Sequence, residues 1–213
     1  RVSRGLGDVY KRQLAGCGKG SDSSSSKAEE GIKASDDGSI SKDLTATEIA
    51  RLLGNGTNLG NTMEAYGHKS YSADTDPESF ETLWGQPVTT EEMIKGMKAS
   101  GFDSLRVPVA WTNAMEYEKG DYTINEAYLD RVEEIINYAL DNDMYVIIND
   151  HWDGSWWGMF GSSEQSDVDK AFEMYKSMWT QIANRYKKYS DRLIFEGANE
   201  ELGDRLNDTD VCK

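Results

Sequence analysis

The strongest constraint on the fold is a repeated alternation of short apolar segments with long amphipathic patterns. Over 91–100, 126–142 and 168–189, apolar residues recur every three or four positions, which is typical of helices that bury one face. Short apolar segments separate these patterns, and we predict strands at 56–60, 104–109, 144–149 and 192–197. The third, MYVIIN, is nearly continuous, which predicts burial on both faces. Strands that alternate with helices predict parallel β/α units.

Capping residues set the expected helix starts. Thr90, Asn125 and Asp167 stand before the three long patterns, and each can accept a hydrogen bond from the first turn. A further short helix is expected after Thr45, where Glu48 completes a capping box.

Four β/α units are compatible with two architectures, a (β/α)8 barrel and an open doubly wound sheet. A (β/α)8 barrel takes about 250 residues, so residues 44–213 correspond to roughly its first half. An open doubly wound sheet is the alternative, but no glycine-rich phosphate loop follows the first predicted strand. We therefore predict an α/β fold, a (β/α)8 TIM barrel truncated to about the first four β/α units.

The segments before residue 44 differ in composition from the rest. Residues 1–17 end in Leu-Ala-Gly-Cys, which resembles the lipobox of bacterial lipoproteins and predicts lipidation of Cys17. Residues 1–13 lack the apolar stretch of roughly 7–15 residues that a signal peptide needs. We therefore expect that the native signal peptide is replaced or lost, the alternative being a chance tetrapeptide. Residues 18–43 are Ser-rich and predict a disordered linker.

Charge and cysteine content exclude several classes of protein. The net charge of −15 disfavours binding to nucleic acid or to anionic lipid through basic patches. No run approaches the roughly 18 apolar residues of a membrane helix. Two cysteines, Cys17 and Cys212, exclude a disulfide framework and a Cys-rich zinc site. Two histidines make an all-His metal site improbable, so we expect no metal and no cofactor.

Polar side chains stand where the predicted strands end. Arg106 lies in the second strand, His151 follows the third, and Asn199 with Glu200 follows the fourth. Functional groups of parallel β/α folds gather at the carboxyl ends of strands. Tryptophans are close in sequence: Trp111, Trp152, Trp156 and Trp157. Carboxylates beside indoles indicate carbohydrate chemistry, because two carboxyl groups cleave a glycosidic bond while sugar rings stack on aromatic planes.

Five segments carry a specific resemblance: GTNLGNTMEA (56–65), ETLWGQPVTTEEM (81–93), GFDSLRVPVAW (101–111), YLDRVEEIINYALDNDMYVIINDHWD (128–153) and LIFEGANEELG (193–203). In order and spacing they resemble the N-terminal half of a glycoside hydrolase family 5 enzyme of the endoglucanase (cellulase) type. The resemblance implies a (β/α)8 barrel and retaining hydrolysis of β-linked glycans.

The resemblance also assigns roles to particular residues. It implies that Glu200 is the general acid/base, that Asn199 binds the sugar 2-hydroxyl, and that Arg106 lies beneath the catalytic carboxylates. His151 matches the first of two family histidines, and Trp152 replaces the second. The predicted glycan contacts are Trp152, Trp156, Trp157, Trp84 and Asn61.

The general acid/base role has alternative candidates. Glu196 and Glu201 are the rivals of Glu200, and His68 is expected to be a surface residue. The family nucleophile is a Glu on a later strand, which we expect beyond Lys213, so the chain alone is expected to be inactive.

The expected function is endo-acting hydrolysis of a β-glucan by a monomer at the bacterial cell surface or outside the cell. The alternatives are a non-catalytic β-glycan-binding protein on the same scaffold and an unrelated metal-using β/α enzyme. The sequence does not choose among cellulose, mixed-linkage glucan, xyloglucan and mannan.

Overall fold

The computed structural model of the chain describes residues 36–67, 70–151, 153–154 and 156–200. The predictions for residues 1–17, including lipidation of Cys17, lie outside these ranges. So do the assignments of His68, Trp152, Glu201 and Cys212.

Four parallel strands form one sheet in which spatial order follows chain order. They are β1 (Gly56–Asn58), β2 (Ser104–Val107), β3 (Tyr145–Asn149) and β4 (Leu193–Glu196). A doubly wound sheet reverses its strand order at a switch point, whereas this sheet continues in one direction, as a barrel does. The prediction of four β/α units of a (β/α)8 barrel is confirmed.

Helices connect the strands and cover one face of the sheet. They are α1 (Ala46–Leu52), α2 (Pro77–Glu81), α3 (Glu91–Ala99), α4 (Glu126–Asp141) and α5 (Gln165–Tyr186). The capping box of α1 is present, because the Glu48 amide donates to the Thr45 side chain while the Thr45 amide donates to the Glu48 carboxylate at 2.9 Å. Thr90 and Asn125 cap α3 and α4 as predicted.

Helix α5 begins earlier than its sequence predicts. It starts at Gln165, and the N-cap position belongs to Glu164, whose side chain makes no capping hydrogen bond. The Ser162 hydroxyl accepts from the Glu164 amide at 3.1 Å and donates to the Asp167 carboxylate at 2.9 Å. Asp167 therefore lies within the first turn of α5, where it accepts a hydrogen bond from Ser162, and is not the residue that precedes the helix.

The core lies between the outer face of the sheet and the helices. Its strand residues are Leu105, Val107, Val146 and Ile148, all fully buried. The predicted burial of β3 on both faces is wrong, since Tyr145 and Ile147 on the other face are half-buried.

The helical spacing of the sequence predicts that the buried stripe of α5 consists of Phe172, Tyr175, Trp179, Ile182, Ala183 and Tyr186. The observed stripe is shifted from this one. Ile182 and Tyr186 are buried as expected, but the rest of the stripe is Ala171, Met174 and Met178. Phe172, which was expected in the core, is 50% exposed and packs edge-on against Phe160. Phe172, Tyr175 and Trp179 therefore lie along one side of α5 beside the core, where aromatic rings pack on one another.

The last residues of the predicted disordered linker contact the folded domain. The Asp36 carboxylate accepts hydrogen bonds from the Ser190 amide at 2.8 Å and from its hydroxyl at 2.6 Å. The Ser41 amide donates to the Asp191 carboxylate at 3.0 Å. Polar residues of the predicted linker are thus held by hydrogen bonds without burying apolar surface.

Within the described ranges, no helix combines the length and the apolar character needed to cross a membrane.

Candidate active site

The site lies on the sheet face opposite the helices, at the carboxyl ends of the strands. Side chains of a strand alternate between faces, so Ser104 and Arg106 of β2 lie on the same face. In the register of the sheet, Arg106 is beside Ile147, and Asn149 is beside Glu196. Arg106, Asn149 and Glu196 therefore share the inner face.

The centre of the site is a two-pronged contact between Arg106 and Glu196. Arg106 Nε lies 2.7 Å from Glu196 Oε2, and Arg106 Nη2 lies 2.7 Å from Oε1. This contact holds the pKa of the Glu196 carboxyl below its usual value, against the opposing effect of burial. The resemblance implies that Arg106 lies beneath the catalytic carboxylates. The carboxylate that Arg106 binds in this structure is that of Glu196, a residue of β4.

The turn after β4 is tied to the same guanidinium. Arg106 Nη2 also donates to Asn199 Oδ1 at 2.9 Å, and the Asn199 amide donates to the Asp150 carbonyl at 2.9 Å. Glu200 follows at once and is exposed. Its charge raises the pKa of Arg106 and acts in the same direction on His151. Four predicted site residues, Arg106, His151, Asn199 and Glu200, therefore lie together.

His151 lies at the end of β3 beside Asn149. Its backbone amide donates to the Val109 carbonyl at 2.9 Å, and its Nδ1 lies 3.2 Å from Asn149 Nδ2. Burial lowers the pKa of the half-buried imidazole, and the positive charge of Arg106 lowers it further. The imidazole is therefore neutral at neutral pH.

Sequence reasoning missed Asn149, which is fully buried at the centre of the site. Its carbonyl accepts a hydrogen bond from Trp111 Nε1 at 2.8 Å. The sequence did contain an indication of this position. Side chains of a strand alternate between faces, so Asn149 lies on the same face of β3 as Tyr145 and Ile147, toward the predicted site.

Trp156 and Trp157 do not form the predicted platform for a sugar ring. They are 3% and 7% exposed, and their rings stack on each other with centroids 4.4 Å apart. Trp157 also packs edge-on against Tyr175 of α5. Aromatic residues in a loop between two elements gain more from packing on the helix below than from exposure. Trp84, in contrast, is 43% exposed.

Asn61 lies in a tight turn after β1. Its φ of 61° is in the left-handed region, which Asn tolerates better than most residues. The buried Glu64 carboxylate accepts from the Asn61 amide at 2.5 Å and from the Thr62 amide at 2.9 Å. Sequence reasoning also missed Glu64, which holds the backbone that carries the exposed Asn61 side chain.

The described residues contain no group of three His, Cys, Asp or Glu side chains arranged to hold a metal ion. The arrangement instead offers an ionised carboxylate held by Arg106, an amide, a neutral imidazole and an exposed carboxylate. These groups suit proton transfer and hydrogen bonding to hydroxyl groups.

A parallel sheet wound in one direction, with this set of groups at its carboxyl edge, defines a β/α-barrel protein with an acid–amide site at the barrel mouth. The family model described as Cellulase (glycosyl hydrolase family 5) matches residues 65–211. The chain belongs to this family.

Among relatives, endoglucanase A of Clostridium longisporum is 42% identical over 156 residues, which is 73% of this chain and 29% of the relative. The xyloglucan-specific endo-beta-1,4-glucanase BoGH5A of Bacteroides ovatus is 39% identical over 169 residues, 78% of this chain and 32% of the relative. The chain thus spans about a third of the length of these curated relatives.

Solved structures agree. A GH5-4 broad specificity endoglucanase from Ruminococcus champanellensis, with bound cellotriose, superimposes with a TM-score of 0.67 at 36% identity. The match covers 76% of this chain and 47% of that structure.

Proposed function

We propose that this chain supplies the acid/base half of a retaining, endo-acting β-1,4-glucanase site. The observation that carries the proposal is the contact of Arg106 with Asn199, at 2.9 Å, which fixes the Asn199–Glu200 pair beside His151. Family membership supports the reaction class.

In the proposed reaction, Glu200 first protonates the oxygen of the departing sugar while the nucleophile carboxylate bonds to the anomeric carbon, so that the glycosidic bond breaks as the glycosyl-enzyme forms. Glu200 then takes a proton from the water that hydrolyses the glycosyl-enzyme. Asn199 hydrogen-bonds the sugar 2-hydroxyl, a contact that strengthens in the transition state. His151 lies beside the pair, where its ring can bind a sugar hydroxyl.

The structure offers a reason to prefer Glu200 to its rival Glu196. Both oxygens of Glu196 accept hydrogen bonds from Arg106, and the pKa of this carboxyl is lowered. A general acid must hold a proton near neutral pH, and a lowered pKa opposes that. Glu200 makes no such contact with Arg106 and is exposed to an incoming glycan.

A retaining enzyme needs a second carboxyl group about 5–5.5 Å from the first. Arg106 binds both carboxylate oxygens of Glu196 as a fork, so neither oxygen of Glu196 is left free to attack a sugar carbon. Arg106 Nη1 has no hydrogen-bond partner among the described residues, so it can hold another carboxylate. We place the nucleophile Glu after Lys213 in the longer protein, and the 213-residue chain alone is then inactive.

The proposed substrate is a glucan with a β-1,4-linked backbone. One relative is named for xyloglucan, and one solved neighbour holds cellotriose. Exposed Trp84 and Asn61 are the proposed glycan contacts among the described residues. Trp156 and Trp157 are proposed to support the loop after β3 from below.

We further propose that the protein is a monomer on the outer surface of a bacterium, anchored by lipid on Cys17. Metabolic labelling with a radioactive fatty acid tests the anchor in a bacterial host, with residues 14–213 expressed behind a lipoprotein signal peptide of that host. The label should be incorporated into the wild type and not into Cys17→Ser, and equal labelling of both would refute the anchor.

The activity is tested with the 213-residue chain and with a chimera. In the chimera, the remaining barrel units of the Clostridium longisporum endoglucanase A follow this chain. We expect no turnover by the chain alone, and we expect the chimera to cut soluble β-1,4-glucan internally, with the product first formed as the β-anomer. Robust turnover by the chain alone would refute the assignment of the nucleophile, and an initial α-anomer would refute retention.

A further inference from the structure

We propose that Asn149 is a positioning residue that fixes the tautomer of His151, with the ring proton on Nε2. The chemical meaning of this tautomer rests on the proposed function, whereas the tautomer itself follows from the contacts of Asn149. Neither the sequence pattern nor the family resemblance singles out Asn149.

The first step is the orientation of the Asn149 amide. Asn149 and Glu196 are direct partners in the register of β3 and β4. An ionised carboxylate can only accept hydrogen bonds, so the amide group that faces it must be the NH2. Consistent with this orientation, Asn149 lowers the pKa of Glu196 as a hydrogen-bond donor.

The same NH2 group of Asn149 also contacts the ring of His151. Asn149 Nδ2 lies 3.2 Å from His151 Nδ1. The NH2 group carries two hydrogens and can donate one to Glu196 and one to the imidazole. His151 Nδ1 is then an acceptor without a proton, and in a neutral imidazole the proton must be on Nε2.

The third step is the comparison with the flipped amide. In the orientation with the NH2 group toward Glu196, Asn149 Oδ1 is buried with no hydrogen-bond partner among the described residues, which is unfavourable. The flipped amide would place Oδ1 against the Glu196 carboxylate, so that two acceptors would face each other and the carboxylate would lose a donor. Burial of Asn149 and the hydrogen bond from Trp111 Nε1 to its carbonyl keep the residue in place.

Charged groups around His151 act on its protonation in both directions. Arg106 opposes an added proton, whereas Glu64, Glu196 and Glu200 favour one. Burial is the largest effect and favours the neutral ring. The Nε2–H group lies on the ring edge away from Asn149, so His151 acts as a hydrogen-bond donor to a sugar hydroxyl and not as a base.

The tautomer can be measured without any activity. The chain contains two histidines, His68 and His151, so ¹⁵N-histidine labelling of the 213-residue chain gives two ring systems, and His68→Gln assigns them. We expect His151 at pH 7.5 to be almost entirely the Nε2–H form. A dominant Nδ1–H form would overturn the proposal.

Substitutions at Asn149 separate positioning from a structural role. Asn149→Asp replaces the donor by an acceptor, so we expect His151 to move its proton to Nδ1 or to become doubly protonated. Asn149→Ala removes the bias, and both neutral forms should appear. The matched control is Asn137→Asp, another buried asparagine, which accepts from Tyr189 and lies on α4. It should leave the His151 spectrum unchanged, and an unchanged spectrum in Asn149→Asp would overturn the proposal.

A second readout uses the chimera. Asn149→Asp should lower kcat by about 10–100-fold, the loss seen at metal sites when a partner that orients a functional histidine is removed. It should also move the pH profile of kcat/KM, because a new carboxylate raises the pKa of His151. Asn137→Asp should do neither. An Asn149→Asp profile like that of wild type would overturn the positioning role, whereas an inactive parent chimera with the expected tautomer would refute only the proposed function.

Discussion

Arg106 of β2 and Glu196 of β4 join two strands that are not neighbours, with both guanidinium contacts at 2.7 Å. The Arg106 side chain reaches over β3, whose Ile147 is beside Arg106 in the register. Because the same guanidinium binds Asn199, the position of Glu200 depends on this contact. One ion pair thus links the geometry of the sheet to the site.

Replacing Arg106 by Lys should impair the site although the charge is kept. A lysine ammonium cannot bind the two oxygens of Glu196 as a fork while also holding Asn199. We expect kcat/KM of the chimera on soluble glucan to fall about 100-fold, which corresponds to about 2.7 kcal/mol of transition-state stabilisation. Arg192→Lys is the matched control, because Arg192 donates to the Leu140 and Met144 carbonyls near the start of β4. Equal losses in the two variants would contradict the specific role of Arg106.

The lowered pKa of Glu196 predicts an acid-dependent loss of stability. In the unfolded chain this carboxyl titrates near 4.5, and in the folded chain it titrates lower. Its contribution is therefore complete above pH 4.5 and disappears as the pH falls through the lowered pKa. Denaturant unfolding of the 213-residue chain between pH 7 and pH 3 measures the effect.

In this series, Glu196→Gln should be less stable than wild type at pH 7, and the difference should shrink toward pH 3. Glu118→Gln provides a comparison at an exposed carboxyl. A difference between Glu196→Gln and wild type that is constant across the range would show that the charge of Glu196 does not matter.

A second ion pair, Glu81–Arg131, is expected to stabilise the domain away from the site. Arg131 Nε lies 2.6 Å from Glu81 Oε1, and the two side chains are 8% and 0% exposed. Arg131→Met would leave the Glu81 carboxylate buried without its partner, which should cost about 3–5 kcal/mol of unfolding free energy. Lys95→Met breaks the exposed pair with Glu91, which solvent and salt screen, and should leave the unfolding free energy almost unchanged. Similar losses in both variants, measured by denaturant unfolding, would contradict this account.

Much of the fold was predictable because local signals and the global arrangement agree. The caps at Thr45, Thr90 and Asn125 satisfy backbone groups whatever the rest of the chain does, and they were predicted correctly. The exact stripe of α5 was not, because Phe172 and Met174 both fit a helical period. Only the neighbours of the helix determine which of the two is buried.

The grouping of Arg106, His151 and Asn199 was predictable, because Arg106 lies in the last half of β2 while His151 and Asn199 follow the ends of β3 and β4. The partnership of Arg106 with Glu196 was not, because it depends on the register of strands 90 residues apart. The role of Asn149 was not predicted for a similar reason, because it depends on contacts with both Glu196 and His151 that only the folded sheet provides. The burial of Trp156 and Trp157 likewise depends on where α5 packs.

The identity of the proton donor is tested most directly by Glu200→Gln and Glu196→Gln in the chimera, with aryl cellobiosides and added azide. We predict that Glu200→Gln loses about 1,000-fold or more in kcat on glucan, which is about 4 kcal/mol, while it still binds cello-oligosaccharides. It should retain more activity on aryl cellobiosides, whose leaving group needs no proton, and azide should restore turnover and give a β-glycosyl azide. Wild-type activity in Glu200→Gln, or azide rescue in Glu196→Gln instead, would contradict the assignment.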